Sequence, residues 1–600
     1  MIFPIIASIT LTFLYLHNKR KLLIAPMIGG LDSCFFKKQE LKKDTPNSKY
    51  TKLCLEDEDS PSRLIEATLN GIVKNNSKSE NYKLGYTLYI PLLKLFDIKD
   101  SGYEINRIAI RRFVKSIEHV DKPVILYLFS DHFSVDSPIE DALAKNPNNI
   151  LQSAKGSLPI DKYYGANVYP WSFVNTENEI THLRENAFHA ILDEVCRLPN
   201  YALKRVEGVT MLGELHHMFP DFQAGMGFSG DYLISDYSKH SAEGFRKHLS
   251  NKYVTIAALN QYLGSNFSDF EEILPPSKNI RSERLNNYWE HIDAYAHGIL
   301  PISGWVAQNP QNTTEKDWVH IYNNGELLTR VPVELGRQDV LAAHPEMPSS
   351  NVGWKYNLDY SKIPPGIHRI DVFLKRGSDP LAYLTTRNIT IMEKSQATPR
   401  KIASKTLPQS IDLKGSILFS IDSPSDLSSY YYNPLALLWH DFRKQQITQY
   451  LEHFSNIAKK KCIDPQLIYS HQILPFVNPG WDESKFSVGT DLAVPSDIRL
   501  GISLYGEASY GTSFFDWFGS THRTIYGVTE FHPLKAMNAI ELNSVLNQHY
   551  KNNAQFLSFF VEGIGLDEDT KNKPNIFSFD KKNKNAGSDI LFESIKEILK

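Results

Sequence analysis

The feature that most constrains this chain is a change of rhythm near Pro301. Before it, short apolar runs alternate with segments whose apolar residues recur at helical spacing. "LGYTLYIPLLKLF" (84–96) and "PVILYLFSDHF" (123–133) read as strands, the second apolar enough to be buried on both faces. "INRIAIRRFVKSIEHV" (105–120) and "ITHLRENAFHAILDEVCRL" (180–198) read as helices. "VEGVTMLGELHH" (206–217) is again a strand, and "AEGFRKHLSNKYVTIAALNQYLG" (242–264) holds two helices with a short break. Strand and helix in alternation predict a parallel sheet.

Between about 302 and 394 no helical segment is expected. Short alternating runs are broken by turn signals such as Asn323-Asn324-Gly325 and Pro364-Pro365-Gly366. That pattern predicts a small all-β sandwich of immunoglobulin-like size. The α/β rhythm then resumes with "GSILFSIDSP", a long helix from "LALLWHDF", and the strand-like runs "PQLIYSHQILPF", "RLGISLYGEASYG", "TIYGVTEFHPL" and "AQFLSFFVEGIG". The expected fold is therefore a (β/α)8 TIM barrel interrupted by an inserted β-sandwich. A doubly wound open sheet is the alternative, but no glycine-rich phosphate loop follows any strand. The boundaries read as 1–22 for a hydrophobic N-terminal segment and 23–80 for a linker with at most one short helix. They continue as 81–301 for the first part of the barrel, 302–396 for the sandwich and 397–600 for the second part.

Met1 to Leu16 are predominantly apolar and are stopped by His17-Asn18-Lys19-Arg20-Lys21, which suits an anchor or an export signal. Membrane association through residues 1–16, or export, is the expectation; the cytoplasmic side stays open. A net charge of −3 gives no electrostatic case for nucleic acid. The four cysteines, Cys34, Cys54, Cys196 and Cys462, lack CxxC spacing and do not suggest a zinc site or a disulfide scaffold; a Cys34–Cys54 bridge is one option. The sequence sets no oligomeric state.

In a barrel of this kind the chemistry sits at the C-terminal ends of the strands. The polar residues that end the apolar runs are Asp131 and His132; Glu214, His216 and His217; Ser470, His471 and Gln472; Glu507; Glu530 and His532; and Glu562. Trp171, Trp481 and Trp517 lie in loops beyond such ends, and 12% aromatic content suits sugar platforms as well as an ordinary core. There is no GxSxG nucleophile elbow and no HExxH. His216 and His217 are adjacent and would face opposite ways in a strand, so they could not chelate one ion together. Neither metal nor cofactor is expected. What remains is a set rich in carboxylates, and paired carboxylates are what glycosidic cleavage requires. Glu214, among Leu212, Leu215, Met218 and Phe219, has an apolar setting that would keep its proton. Glu530 ends the best-formed strand of the second half, with Glu507 as its rival.

"DYSKHSAEGFRKHLSNKYVTIAALNQYLGSNFSDFEEILPP" (236–276) resembles the segment after the fourth barrel strand of glycoside hydrolase family 42. Ser241, Phe245-Arg246, Leu249, Tyr253, Leu259-Asn260 and Leu263-Gly264 carry the likeness. The resemblance implies a clan A barrel with its acid/base glutamate ending strand four, its nucleophile glutamate ending strand seven, and net retention. Glu214 and Glu530 match those two positions. The chain departs from the clan at Gly213, where the clan usually has an Asn that holds the sugar 2-hydroxyl. "GEL" at 213–215 instead resembles the acid motif of β-amylases, which invert. The expected function is a glycoside hydrolase cleaving O-glycosidic bonds of an oligosaccharide or glycan, with retention. Glu214 and Glu530 would be catalytic, and Asp131, His132, Trp171, His216, Trp481, Glu507, Trp517 and His532 would bind substrate. An inverting glycosidase and a catalytically inactive glycan-binding protein are the alternatives.

Overall fold

The fold is that of a computed structural model describing residues 20–36, 60–74, 77–163, 166–215, 226–227, 232–308, 316–347, 349–395, 397–413, 415, 417–477, 481–488, 493–560, 581 and 583–600. Met1–Leu16, His216, His217 and Glu562 lie outside these residues. No described helix is long and apolar enough to cross a membrane.

The parallel part is built from β1 (Leu22–Ile24), β2 (Tyr82–Leu84), β3 (Tyr86–Pro91), β4 (Val124–Phe129), β5 (Val206–Leu212), β6 (Ile468–Tyr469), β7 (Gln472–Ile473), β8 (Leu500–Tyr505), β9 (Tyr526–His532) and β10 (Ala554–Phe559). β3 pairs with β4, β4 with β5, and β5 with β6. On the other side β7 pairs with β8, β8 with β9, and β9 with β10. β1 lies between β10 and β2, and Met27 bridges onward to Thr87. Every one of these pairings is parallel, and the strands are apolar on both faces because helices cover them. The covering helices include Arg107–His119, Glu179–Val195, Pro434–Lys459, Ala539–Lys551 and Ser588–Leu599. Four of these have side-chain caps on the amide of their third residue or beside it: Asn106 on Ala109, Asn178 on Thr181, Asn433 on Leu435, and Asn538 in a capping box with Glu541.

Two antiparallel sheets form the second unit. One orders Leu335–Gly336, Asn351–Asp359, Ile299–Gln308 and Ile417–Ser423; the other orders Glu326–Pro332, Asp317–Asn323, Gly366–Arg376, Ala382–Met392 and Ser428–Tyr431, the last joined in parallel. Ile302, Val306 and Trp354 from the first sheet share a core with Val319, Ile321, Val372 and Leu374 from the second. Asn324 and Gly325 take positive φ (49° and 80°) in the expected hairpin turn.

Several expectations are corrected. Residues 23–80 are not simply a linker, because β1 is a strand in the main sheet. Leu22, Leu23 and Ile24 are fully buried there. Ser60–Ile72 is a thirteen-residue helix that buries Leu64, Ile65, Leu69 and Ile72. The 302–396 boundary is too short: Ile417–Ser423, read as resuming the α/β part, pairs antiparallel with Ile299–Gln308. A period of two is the same in parallel and antiparallel strands, so only the partner decides. A short helix, Gln338–Ala343, also lies inside the span expected to lack one.

The cysteine reading is corrected too. Cys196 and Cys462 form a disulfide across 266 residues, just past the ends of the Glu179–Val195 and Pro434–Lys459 helices. Cys34 is also disulfide-bonded. The Cys196–Cys462 bridge closes the loop that contains the whole antiparallel unit. Cys462→Ser is expected to cost about 2–4 kcal/mol, read as a urea midpoint below that of wild type, a difference that closes when both proteins are measured under reducing conditions.

Candidate active site

β5 ends on a tight reversal. Leu212 and Gly213 both take positive φ (67° and 86°). Gly213 N–H donates to Met211 O and Leu215 N–H to Gly213 O. A non-glycine residue in the left-handed region is strained, and such strain marks places where neighbours hold the backbone. Here it carries Glu214 just past the strand end. Glu214 Oε1 is shut away from solvent and meets no hydrogen-bond partner among the described residues.

Glu530 lies within β9. Ile502 pairs with Val528, but Ser503 pairs with Glu530, so β9 holds one extra residue at Thr529. A bulge of this kind re-aims the side chain that follows it. Glu530 is only 5% exposed. Tyr505, the last residue of β8, donates its hydroxyl to Glu530 Oε2, and the Tyr127 hydroxyl of β4 lies 3.5 Å from Oε1. His471, between β6 and β7, places Nε2 3.2 Å from the same Oε1, and its ring stacks on Tyr127 with centroids 4.4 Å apart.

These side chains converge. One carboxylate oxygen of Glu214, one of Glu530 and a ring nitrogen of His471 all lie within 4.8 Å of one another. Such a donor set has the reach to hold a divalent cation. The electrostatics are those of ionisable groups removed from water. Burial raises Glu214 above the usual carboxylate range, the Glu530 charge raises it further, and the neighbouring His471 and Ser503 offset part of this. Burial raises Glu530 as well, while hydroxyls from Tyr505 and Tyr127 favour its ionised form. Burial lowers His471 to about 4, so the ring is neutral and its contact with Glu530 is not an ion pair. Both tyrosines are held well above their ordinary value by burial and by Glu530, so they remain O–H donors.

Asp131 joins this cluster. Its Oδ1 accepts from Phe133 N–H at 3.1 Å. An ideal Cβ on Gly213 would lie 2.8 Å from Asp131 Cβ, 3.0 Å from its Oδ2 and 3.1 Å from the Tyr127 hydroxyl.

The other expected substrate residues are placed differently. His532 is fully buried, with one ring nitrogen accepting from Leu534 N–H at 3.0 Å and the other 3.1 Å from Ser588 Oγ. One nitrogen holds the loop after β9 and the other meets the first residue of the C-terminal helix, so it is a packing residue. Trp171 is only 2% exposed and stacks on Tyr169 at 4.6 Å, which makes it core and not a platform. His132 is buried against Phe133. Glu507, the rival second carboxylate, packs against Gly336 of the antiparallel unit and Gly511. Trp481 stacks on Phe486 at 5.3 Å, and Trp517 sits beside Phe514 in the Thr512–Ser520 helix. Tyr127, His471 and Tyr505 were given no role from sequence. A period-two count places Tyr127, Phe129 and Asp131 on one face, which is the signal that could have found the first.

Residues 226–293 match the sequence model of glycoside hydrolase family 42, described as beta-galactosidase. The resemblance read from residues 236–276 is met by that match, which begins twelve residues past Glu214 and does not include it. No curated protein sequence matches the chain. Among solved structures, a beta-galactosidase from the psychrophilic Marinomonas ef1 is 14% identical over 34% of this chain and 27% of that one, with a TM-score of 0.24. A polyextremophilic beta-galactosidase from the Antarctic haloarchaeon Halorubrum lacusprofundi is 15% identical over 37% and 28%, with a TM-score of 0.23. The catalytic domain of a Paenibacillus polymyxa beta-amylase is 14% identical over 43% and 54%, with a TM-score of 0.26. This chain thus spans little more than a quarter of the two beta-galactosidases, and at these scores the likeness decides nothing about the fold.

Proposed function

We propose that this protein is a glycoside hydrolase in which Glu214 is the proton donor and Glu530 the nucleophile. The parallel pairings support a closed (β/α)8 barrel, with the antiparallel unit as a sandwich inserted between its fourth and fifth strands. The observation that carries the functional reading is the approach of the two carboxyls to within 4.8 Å beside a neutral His471.

Two like charges at that distance do not both form readily, so the pair holds one proton. Glu530 has the O–H donors and keeps the charge; Glu214 keeps the proton. The Glu530 carboxylate attacks the anomeric carbon, the glycosidic C–O bond breaks, and the Glu214 proton goes to the departing oxygen. Water then gives a proton back to Glu214 as its oxygen attacks that carbon and releases Glu530. A separation near about 5–5.5 Å favours retention, whereas inversion needs about 6.5–9.5 Å to seat a water. β-Galactosides and β-linked galactans are the first substrates to test, given the family match.

Proton NMR of the first sugar released is expected to show the anomer of the substrate. The opposite anomer would establish an inverting glycosidase instead. Saturable glycan binding with no release would establish a binding protein on a hydrolase-like barrel.

The pH profile supplies a second test. Activity needs Glu530 ionised and Glu214 protonated, so kcat/KM is expected to be bell-shaped. Tyr505→Phe removes a hydrogen bond that favours the Glu530 carboxylate. The carboxyl then ionises at higher pH, and the acid limb moves up by about one unit. An unmoved acid limb would remove Tyr505 from this role.

We place the protein on the oxidising side of a membrane, because a disulfide such as Cys196–Cys462 persists there and is rare in the cytosol. The apolar Met1–Leu16 segment agrees with export.

A further inference from the structure

Three carboxyls, those of Asp131, Glu214 and Glu530, gather around Gly213: burial and the Glu530 charge raise Asp131 to about 7, and burial, Glu530 and Asp131 all raise Glu214. No charged side chain of opposite sign is bonded to them among the described residues. His471 is neutral. Arg184, the guanidinium that acts on Asp131, donates to Ser130 Oγ and O, Ser172 O and the Tyr450 hydroxyl.

Within this set Asp131 has no part in the two-carboxyl chemistry. Its Oδ1 accepts from Phe133 N–H, and its Oδ2 takes no hydrogen bond from any described residue. That oxygen lies beside the residue preceding the proton donor, in space that any side chain at 213 would enter. Gly213, at φ +86°, leaves this space to the Asp131 carboxyl. A sugar ring seated between Glu214 and Glu530 would have this carboxyl as its neighbour on the Gly213 side. A hydroxyl there would make an ordinary hydrogen bond. A carboxylate on the sugar would be repelled. A protonated amine would make a charge-assisted hydrogen bond with the ionised carboxyl.

We propose that Asp131 reads a protonated amino group on the bound sugar, so that the site takes amino-sugar glycosides in preference to their hydroxyl counterparts. This rests on the hydrolase reading only for where the ring sits.

The test is calorimetric titration of D-glucosamine and D-galactosamine against D-glucose and D-galactose, at matched ionic strength, near neutral pH and with a chelator present. Wild type is expected to bind at least one amine about tenfold tighter than its hydroxyl counterpart. Asp131→Asn is expected to bring that ratio close to one. The readout is a ratio between two sugars on one protein, so partial misfolding does not imitate it. Equal binding of amine and hydroxyl sugars by wild type would overturn the proposal. So would a preference that survives Asp131→Asn, or the absence of saturable amine binding. Binding is read without turnover, which separates the two ideas. A chain that prefers the amine but cleaves nothing keeps this inference and loses the hydrolase reading; an active chain with no preference does the reverse.

Discussion

Glu530→Gln is expected to abolish hydrolysis of every glycoside the protein cleaves, and Glu214→Gln to do so selectively. The two losses are expected to differ because the proposed mechanism gives the two carboxyls different work. An amide at 530 cannot form the covalent bond to the anomeric carbon, so no choice of substrate rescues it. An amide at 214 cannot protonate the departing oxygen, a contribution of about 10²–10⁴-fold. That loss should shrink on aryl glycosides whose leaving group departs without a proton, such as dinitrophenolates. The measurement is kcat/KM for natural and activated substrates on both variants, with near-UV circular dichroism to establish that each is folded. Glutamine is close in shape to glutamate, and both positions already hold raised carboxyls, so folding should survive. Undiminished activity in either variant would remove that residue from its role. Equal losses on natural and activated substrates for Glu214→Gln would remove it as the proton donor.

The positions of the two proposed acids were legible in the sequence because each ends or interrupts an apolar run, and a strand end is visible as the place where apolar residues stop. Their partners were not. Tyr127 and Tyr505 read as ordinary strand formers, since tyrosine favours strands whichever way its hydroxyl points. His471 stood among Ser470, His471 and Gln472, and which of the three faces inward depends on the register of neighbouring strands. The rest of the fold divides the same way. Long amphipathic helices such as Glu179–Val195 were plain from spacing alone. β1 was not, because three apolar residues after a basic cluster are too few to form a pattern. The side on which Ile417–Ser423 pairs, and the bridge between Cys196 and Cys462, are long-range facts that no local window contains.

Gly213→Asn restores the residue that the family resemblance implies, yet it is expected to damage the protein. Two costs act together. At φ +86° a side chain strains the backbone by about 1–3 kcal/mol, with asparagine the least affected of the branched or longer residues. The new Cβ would also stand 2.8 Å from Asp131 Cβ, closer than packed carbons approach, and overpacking costs about 1–3 kcal/mol more. The second cost belongs to a pair and can be relieved from the other side. Asp131→Gly removes the opposing Cβ, so Gly213→Asn should be less harmful in that background, by about 0.5–3 kcal/mol of coupling. Urea unfolding of wild type, the two single variants and the double variant measures this cycle directly. Purely additive losses would mean that Asp131 and residue 213 do not contend for one space. A stable, fully active Gly213→Asn would mean that the glycine is incidental. A positive coupling would instead make Gly213 and Asp131 one device, in which the missing side chain before the acid exists to admit a carboxyl from the neighbouring strand.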